Sequence, residues 1–333
     1  MYDLETERVS EEIRRRGART VLLQMPDGLR PQAFSIAESL RRVTGAEIVI
    51  SGDSCYGACD VAISQARALG AELLVHYGHN RMITETDPPI IYVEASMEYD
   101  ARALAQKALP LIRGWSRVGI AATVQGAHLL SDISDALKQS GVHVAVGEGA
   151  GGTPDDGQIL GCDYTTALSV QGDVDGYLFV GAGRFHPIGL TISTGLPVAL
   201  ANPYTMKAEM LDDADVMRLA KKRMAQITGA RRAKRLGVIV SLKPGQRRLE
   251  LARSLKNRLE ETGREAHIVA LDEVNATTLG NFTEAEAYIN TACPRISLDG
   301  VADIKKPMLT PSEALVMLGD LRWEEAWGKA YFQ

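Results

Sequence analysis

Cys59, Cys162 and Cys293 each lie in a different third of this 333-residue chain, and none sits in a local metal knuckle. A site that draws one thiolate from each of three similar segments suits a metal cluster at their common centre. Three thiolates fall one short of the four that close a [4Fe–4S] cluster, which leaves one iron open to hold a substrate. Zinc fits less well, because a structural zinc site is closed by four ligands and no fourth stands out. The combination points to an enzyme.

Each cysteine has its own setting. Cys59 lies in SGDSCYGACD, where Gly52 and Gly57 bracket the approach and a helical pattern starts near Asp60. A thiol near a helix N-terminus has a lowered pKa, which favours the thiolate that iron needs. Taken alone, Cys59 reads equally well as a buried, unreactive residue. Cys162 follows the polar, glycine-rich loop GEGAGGTPDDGQ, and Cys293, in NTACPRI, directly follows an apolar run that Pro294 ends. Cys55 with Cys59 starts the radical-SAM spacing C-x3-C-x2-C, but its third position is Ala62. Cys55 is therefore treated as a bystander, with a role as alternative ligand or redox-exposed thiol left open.

Three copies of one pattern position these thiols. Residues 20–51, 117–147 and 235–271 each carry a short apolar strand, a glycine-bearing turn (Gly28, Gly126, Gly245), an amphipathic helix and a second strand. Third strands are predicted from Ala71, Val174 and Ala285, and fourth strands at 90–95, 197–202 and, more weakly, 307–309. Apolar strands alternating with helices give an α/β fold of three similar domains, each a small parallel sheet with flanking helices. The domains are expected at 1–108, 109–230 and 231–333. Right-handed crossovers place the strand C-termini of a unit along one edge, beyond which ligands bind. The basic run ARRAKR at 230–235 is read as a linker or helix end rather than a nucleic-acid patch.

Bulk composition narrows the function classes. Aromatics at 5% leave little for base stacking, and a formal charge of −5 opposes broad phosphate binding, so no nucleic-acid partner is expected. No run approaches the roughly 20 apolar residues of a membrane span, and the N-terminus has no signal-type segment. Four cysteines do not make a disulfide scaffold, so a reducing, cytoplasmic setting is expected.

The runs GDSCYGACD, PDGL (26–29), HYGHN (76–80), VGAGRFHP (180–187), SLKPGQ (241–246) and NTACPRI (290–296) resemble the diphthamide biosynthesis enzymes along nearly the whole chain. The resemblance is closer to the archaeal member that acts as a homodimer. It implies three α/β domains in a pseudo-threefold arrangement around a [4Fe–4S] cluster held by Cys59, Cys162 and Cys293. It also implies an unconventional radical use of S-adenosylmethionine, in which the bond from sulfur to the γ-carbon is cleaved. The 3-amino-3-carboxypropyl group then passes to imidazole C2 of a histidine in translation elongation factor 2, with methylthioadenosine as by-product. An electron donor is required.

The amino and carboxylate ends of such a substrate need polar partners at strand ends. The candidates are Asp27 and Gly28; Gln125 and Gly126; Gly181, Gly183, Arg184 and His186; and Lys243, Gly245 and Gln246. Backbone amides after Gly245 can hold a carboxylate, and Arg184 can do so with paired donors. Asp27 also reads as a helix cap, and His76, His79 and His186 as structural hydrogen-bonding residues. GAGRFHP lacks a third glycine and no well-placed helix is expected after it, which weakens a dinucleotide reading. The rival enzyme class is a quinolinate synthase-like protein, whose open-iron [4Fe–4S] cluster acts as a Lewis acid.

Overall fold

The computed structural model describes residues 2–84, 86–149, 153–328 and 331. The first unit has β1 (Thr20–Gln24), β2 (Glu47–Ile50), β3 (Leu73–Tyr77) and β4 (Ile90–Val93). The second has β5 (Arg117–Ala122), β6 (His143–Ala145), β7 (Gly176–Val180), β8 (Val198–Asn202) and β9 (Lys207–Met210). The third has β10 (Arg235–Ser241), β11 (Glu265–Leu271), β12 (Ala287–Asn290) and β13 (Met308–Leu309). Every sheet runs second strand, first, third, fourth, and all these pairings are parallel. Among the described residues the sole addition is β9, antiparallel to β8. Sequence reading missed β9 because Lys207–Met210 is a short, mostly exposed edge with no apolar run.

Alternation along the central strands explains the layering. Val21, Leu23 and Val75 enter one core of the first unit, while Leu22 and Leu74 enter the other. Helices therefore cover both faces of the parallel sheet. Units two and three share one further detail. Gly119 pairs with Tyr177 and Gly237 with Tyr288, and an added Cβ would stand 2.4 and 2.7 Å from the two rings. Both tyrosine hydroxyls donate to carbonyls of neighbouring short helices, Ala167 at 2.6 Å and Leu279 at 2.8 Å.

Two helices link the units. Ala101–Ile112 follows the first sheet but buries Leu104, Ala108 and Ile112 in the second unit's core. The helix Asp213–Ala230 leaves the second unit and carries the fully buried Arg223, which pairs with Glu313 at 2.6 Å and donates to the Met308 carbonyl at 2.6 Å. The basic run 230–235 is the turn from the last residue of that helix to the first of β10. No described helix is long and apolar enough to cross a membrane.

Candidate metal site

The switch from first to third strand in each sheet opens its carboxyl edge, and the cysteines lie beyond those edges. Cys59 sits in the turns between β2 and the helix Ile63–Ala68, and Cys162 between β6 and the helix Thr165–Ser169. Cys293 follows β12 as N-cap of the short helix Pro294–Asp299, with Pro294 in its first turn. All three thiols line one cavity of about 200 Å³. Two cysteines thus follow second strands and one a third strand, so the units contribute from non-equivalent positions.

The thiols are electrostatically strained as a set. Burial pushes Cys162 up to about 12, and the neighbouring Cys293 and Cys59 push it further. Burial likewise holds Cys293 up, to about 11, against a backbone hydrogen bond from Arg295. Cys59 also lies above the ordinary thiol value, again through burial first. The lowered Cys59 pKa expected from a nearby helix start is not found. The helix that follows begins only at Ile63, four residues on, and desolvation decides. Gln246 Nε2 partly compensates by donating to Cys59 Sγ at 3.2 Å. Without a cation the three sulfurs stay neutral thiols, and a soft, multiply charged metal group would favour the thiolate form of such a donor set. The residues fit an iron–sulfur cluster.

Gly245 has a steric role. Its N–H donates to the Cys59 carbonyl at 2.8 Å, and an added Cβ would stand 2.6 Å from the Cys59 Cα. That amide is therefore engaged with the cysteine loop, not open to a substrate carboxylate. Gln246 completes the same contact, and its own N–H bonds the Lys243 carbonyl.

The other predicted residues divide between places. Gln125 and His186 line the three-cysteine cavity. Gln125 Nε2 donates to the Gly78 carbonyl at 2.8 Å. Burial holds His186 down at about 4, with Arg295 adding to the effect, and its ring stacks at 5.9 Å on Phe179. Asp27 and Lys243 instead line a neighbouring polar cavity of about 870 Å³. Lys243 bridges Asp60 at 2.7 Å and Glu273 at 3.4 Å there. Gly28 lies in the 3-10 turn Asp27–Gln32 and Gly126 in the turn Val124–Ala127, whose Gly126 carbonyl accepts from the Tyr99 hydroxyl. Gly181 packs on Phe179, and Gly183, at φ 75°, turns the chain into the helix Phe185–Thr194. That helix was not expected; Pro187 falls in its first turn, where proline is tolerated. Arg184 is directed away from the thiols, with its guanidinium taken up by Asp215 and by Glu209 at 2.9 Å.

Several wall residues escaped sequence reading. Arg295, two residues past Cys293, lines the cavity, stacks over Phe185 at 4.6 Å and pairs with Asp299 at 2.7 Å. Asn80 donates to Glu94 at 2.9 Å and to Asp155 at 3.0 Å, linking units one and two at the cavity wall. Cys55 is not an exposed thiol: it is 6% accessible and lies beside His76 and His79. Burial lowers those two histidines to about 3 and about 4.

Three α/β units that bring three thiols to one cavity define an enzyme of the iron–sulfur type, and the whole-chain comparisons fix its family. Residues 25–328 match the family described as putative diphthamide synthesis protein, and the chain belongs to that family. Its relatives are named as synthases, which makes this chain an enzyme. It is 36% identical to 2-(3-amino-3-carboxypropyl)histidine synthase of Pyrococcus horikoshii, over 96% of this chain and 91% of the relative. It is 33% identical to subunit 1 of the synthase from Gallus gallus, over 99% of this chain and 80% of that protein. The crystal structure of Dph2 from Pyrococcus horikoshii with a 4Fe–4S cluster superposes with a TM-score of 0.89 at 35% identity, covering 97% of this chain and 93% of that one.

Proposed function

We propose that Cys59, Cys162 and Cys293 hold a [4Fe–4S] cluster with one open iron, and that the enzyme transfers the 3-amino-3-carboxypropyl group of S-adenosylmethionine to a histidine of translation elongation factor 2. The convergence of three thiols from three units on one cavity carries this reading. Bound there, the cluster would supply one electron to the sulfonium, breaking the sulfur–γ-carbon bond to methylthioadenosine and a carbon-centred radical that adds to the histidine C2. The adduct would return one electron to the oxidised cluster and release its C2 proton to solvent, so that the transfer is redox-neutral overall.

The chain's residues supply placement. Arg295, held over Phe185 and paired with Asp299, brings a cation to the cavity wall for the substrate carboxylate. Gln125, pinned by Gly78, offers its amide oxygen to the substrate ammonium. His186, kept neutral by burial, and Ile159 give the cavity wall an apolar side that keeps water from a radical. In the same reading the enzyme works as a cytoplasmic homodimer with a separate electron donor, on a protein partner and not on nucleic acid or membrane.

The test is product analysis under anaerobic, reducing conditions with S-adenosylmethionine and elongation factor 2. Methylthioadenosine must form, and the factor must gain the mass of the transferred group. Quinolinate from iminoaspartate and dihydroxyacetone phosphate, with no methylthioadenosine, would replace this reading by the Lewis-acid one.

A further inference from the structure

The first unit contains a second set of metal-type donors that the three-cysteine site does not use. We propose that Cys55, His76 and His79 form a separate, mononuclear site for a divalent cation of the zinc type, beside the three-cysteine cavity. The Cys55 sulfur and one nitrogen from each histidine lie within 4.8 Å of one another. Zinc–sulfur and zinc–nitrogen bonds of about 2.3 and about 2.0 Å place tetrahedral ligand atoms inside that envelope. One thiolate and two imidazoles are a donor set that suits zinc and its neighbours.

The hydrogen bonds around Gln24 settle which nitrogen is available. Gln24 Nε2 donates to the Asp60 carbonyl at 2.6 Å, and its Oε1 accepts from the Ala62 N–H at 2.9 Å. The backbone therefore fixes the amide's orientation. His76 Nδ1 lies 2.8 Å from that same Oε1, so Nδ1 carries the proton and donates. His76 Nε2 is left with its lone pair, 3.0 Å from His79 Nδ1. A second-sphere acceptor that fixes the tautomer of a buried histidine is the usual support of a metal ligand. The turn at Gly78, with φ 85°, brings His79 back beside His76. An added Cβ at Gly78 would meet Pro26 at 2.9 Å.

Two imidazoles 3.0 Å apart can also share a single hydrogen bond. The Cys55 sulfur at the third corner favours the cation. All three ligands belong to one unit, so the site does not depend on the other cysteines or on the reaction proposed above. It would tie the loop that carries Cys59 to β3. His79 also lines the three-cysteine cavity, and the fourth coordination position would be left for water or a ligand on that side.

The decisive measurement is elemental counting of iron and zinc in the anaerobically purified full-length holoenzyme, with zinc supplied during growth. The expected result is about one zinc per chain beyond the cluster iron. Cys55→Ala and His76→Ala should each lose that zinc at least tenfold while keeping the iron. A Cys59/Cys162/Cys293→Ser variant titrated with Co²⁺ should show thiolate charge-transfer and tetrahedral d–d bands that vanish when Cys55→Ala is added. Should that variant fail to fold, the zinc count of Cys55→Ala against wild type decides alone. Zinc unchanged by Cys55→Ala, or absent from wild type under zinc supply, would overturn the proposal and leave a hydrogen-bonded histidine pair.

Discussion

Two cavities flank the loop that carries Cys59, and they are built on opposite principles. The larger, about 870 Å³, is walled by charges that answer one another: Lys243 lies between Asp60 and Glu273, and Arg30 pairs with Asp27 at 3.2 Å. The smaller, about 200 Å³, gathers three thiols whose pKa values burial raises, with the neighbouring cysteines adding to the rise at Cys162 and Cys293. Size favours the first as a binding site, and charge balance favours the second as a metal site. A folded chain tolerates buried charge where partners are present and leaves it unbalanced where a cofactor completes the set. The uncompensated group is therefore the better marker of function.

Perturbing the wall that separates the two cavities sharpens this contrast. Lys243→Met should destabilise the fold by about 3 kcal/mol in urea unfolding, because Asp60 is left buried without its cation. Adding Asp60→Asn should recover part of that loss, and a double variant no better than the single one would deny the pairing. Gly245→Ala should cost about 1–3 kcal/mol, since its Cβ would collide with the Cys59 backbone, and cluster loading should fall with it. Unchanged iron content in Gly245→Ala would show that the Cys59 loop can move without consequence. Gln246→Leu should keep the cluster but lower its reduction potential in a redox titration, because the N–H to Cys59 sulfur favours the more negative reduced state. Arg184→Ala should shift stability by no more than about 0.5 kcal/mol and leave product formation intact, because its ion pairs are surface pairs away from both cavities.

The elements of this architecture that were legible in the sequence are those with local signatures. Strand, glycine turn, helix and strand recur within each unit, and a cysteine in each third is visible without coordinates. Features that depend on distant partners were not legible. Cys55 looked idle because its spacing to Cys59 matches no complete motif, yet its neighbours His76 and His79 come from the next strand and turn. Arg184 looked like a carboxylate clamp because Asp215 and Glu209, its partners, lie beyond the following helix and strand. The direction of the Cys59 ionisation shift was misread for the same reason. A helix start is a sequence signal, whereas the burial that outweighs it is a product of three units packing together.

The account's central claim is that one thiolate from each of three units holds a single cluster. Its most direct test is anaerobic reconstitution followed by iron and sulfide counting and visible absorbance for wild type and the single variants Cys59→Ala, Cys162→Ala and Cys293→Ala. Wild type should hold about four irons per chain with the brown cluster absorbance. Each variant should lose that absorbance or hold a cluster with no turnover of S-adenosylmethionine. A fully loaded, active cluster in any one of the three would contradict the shared site.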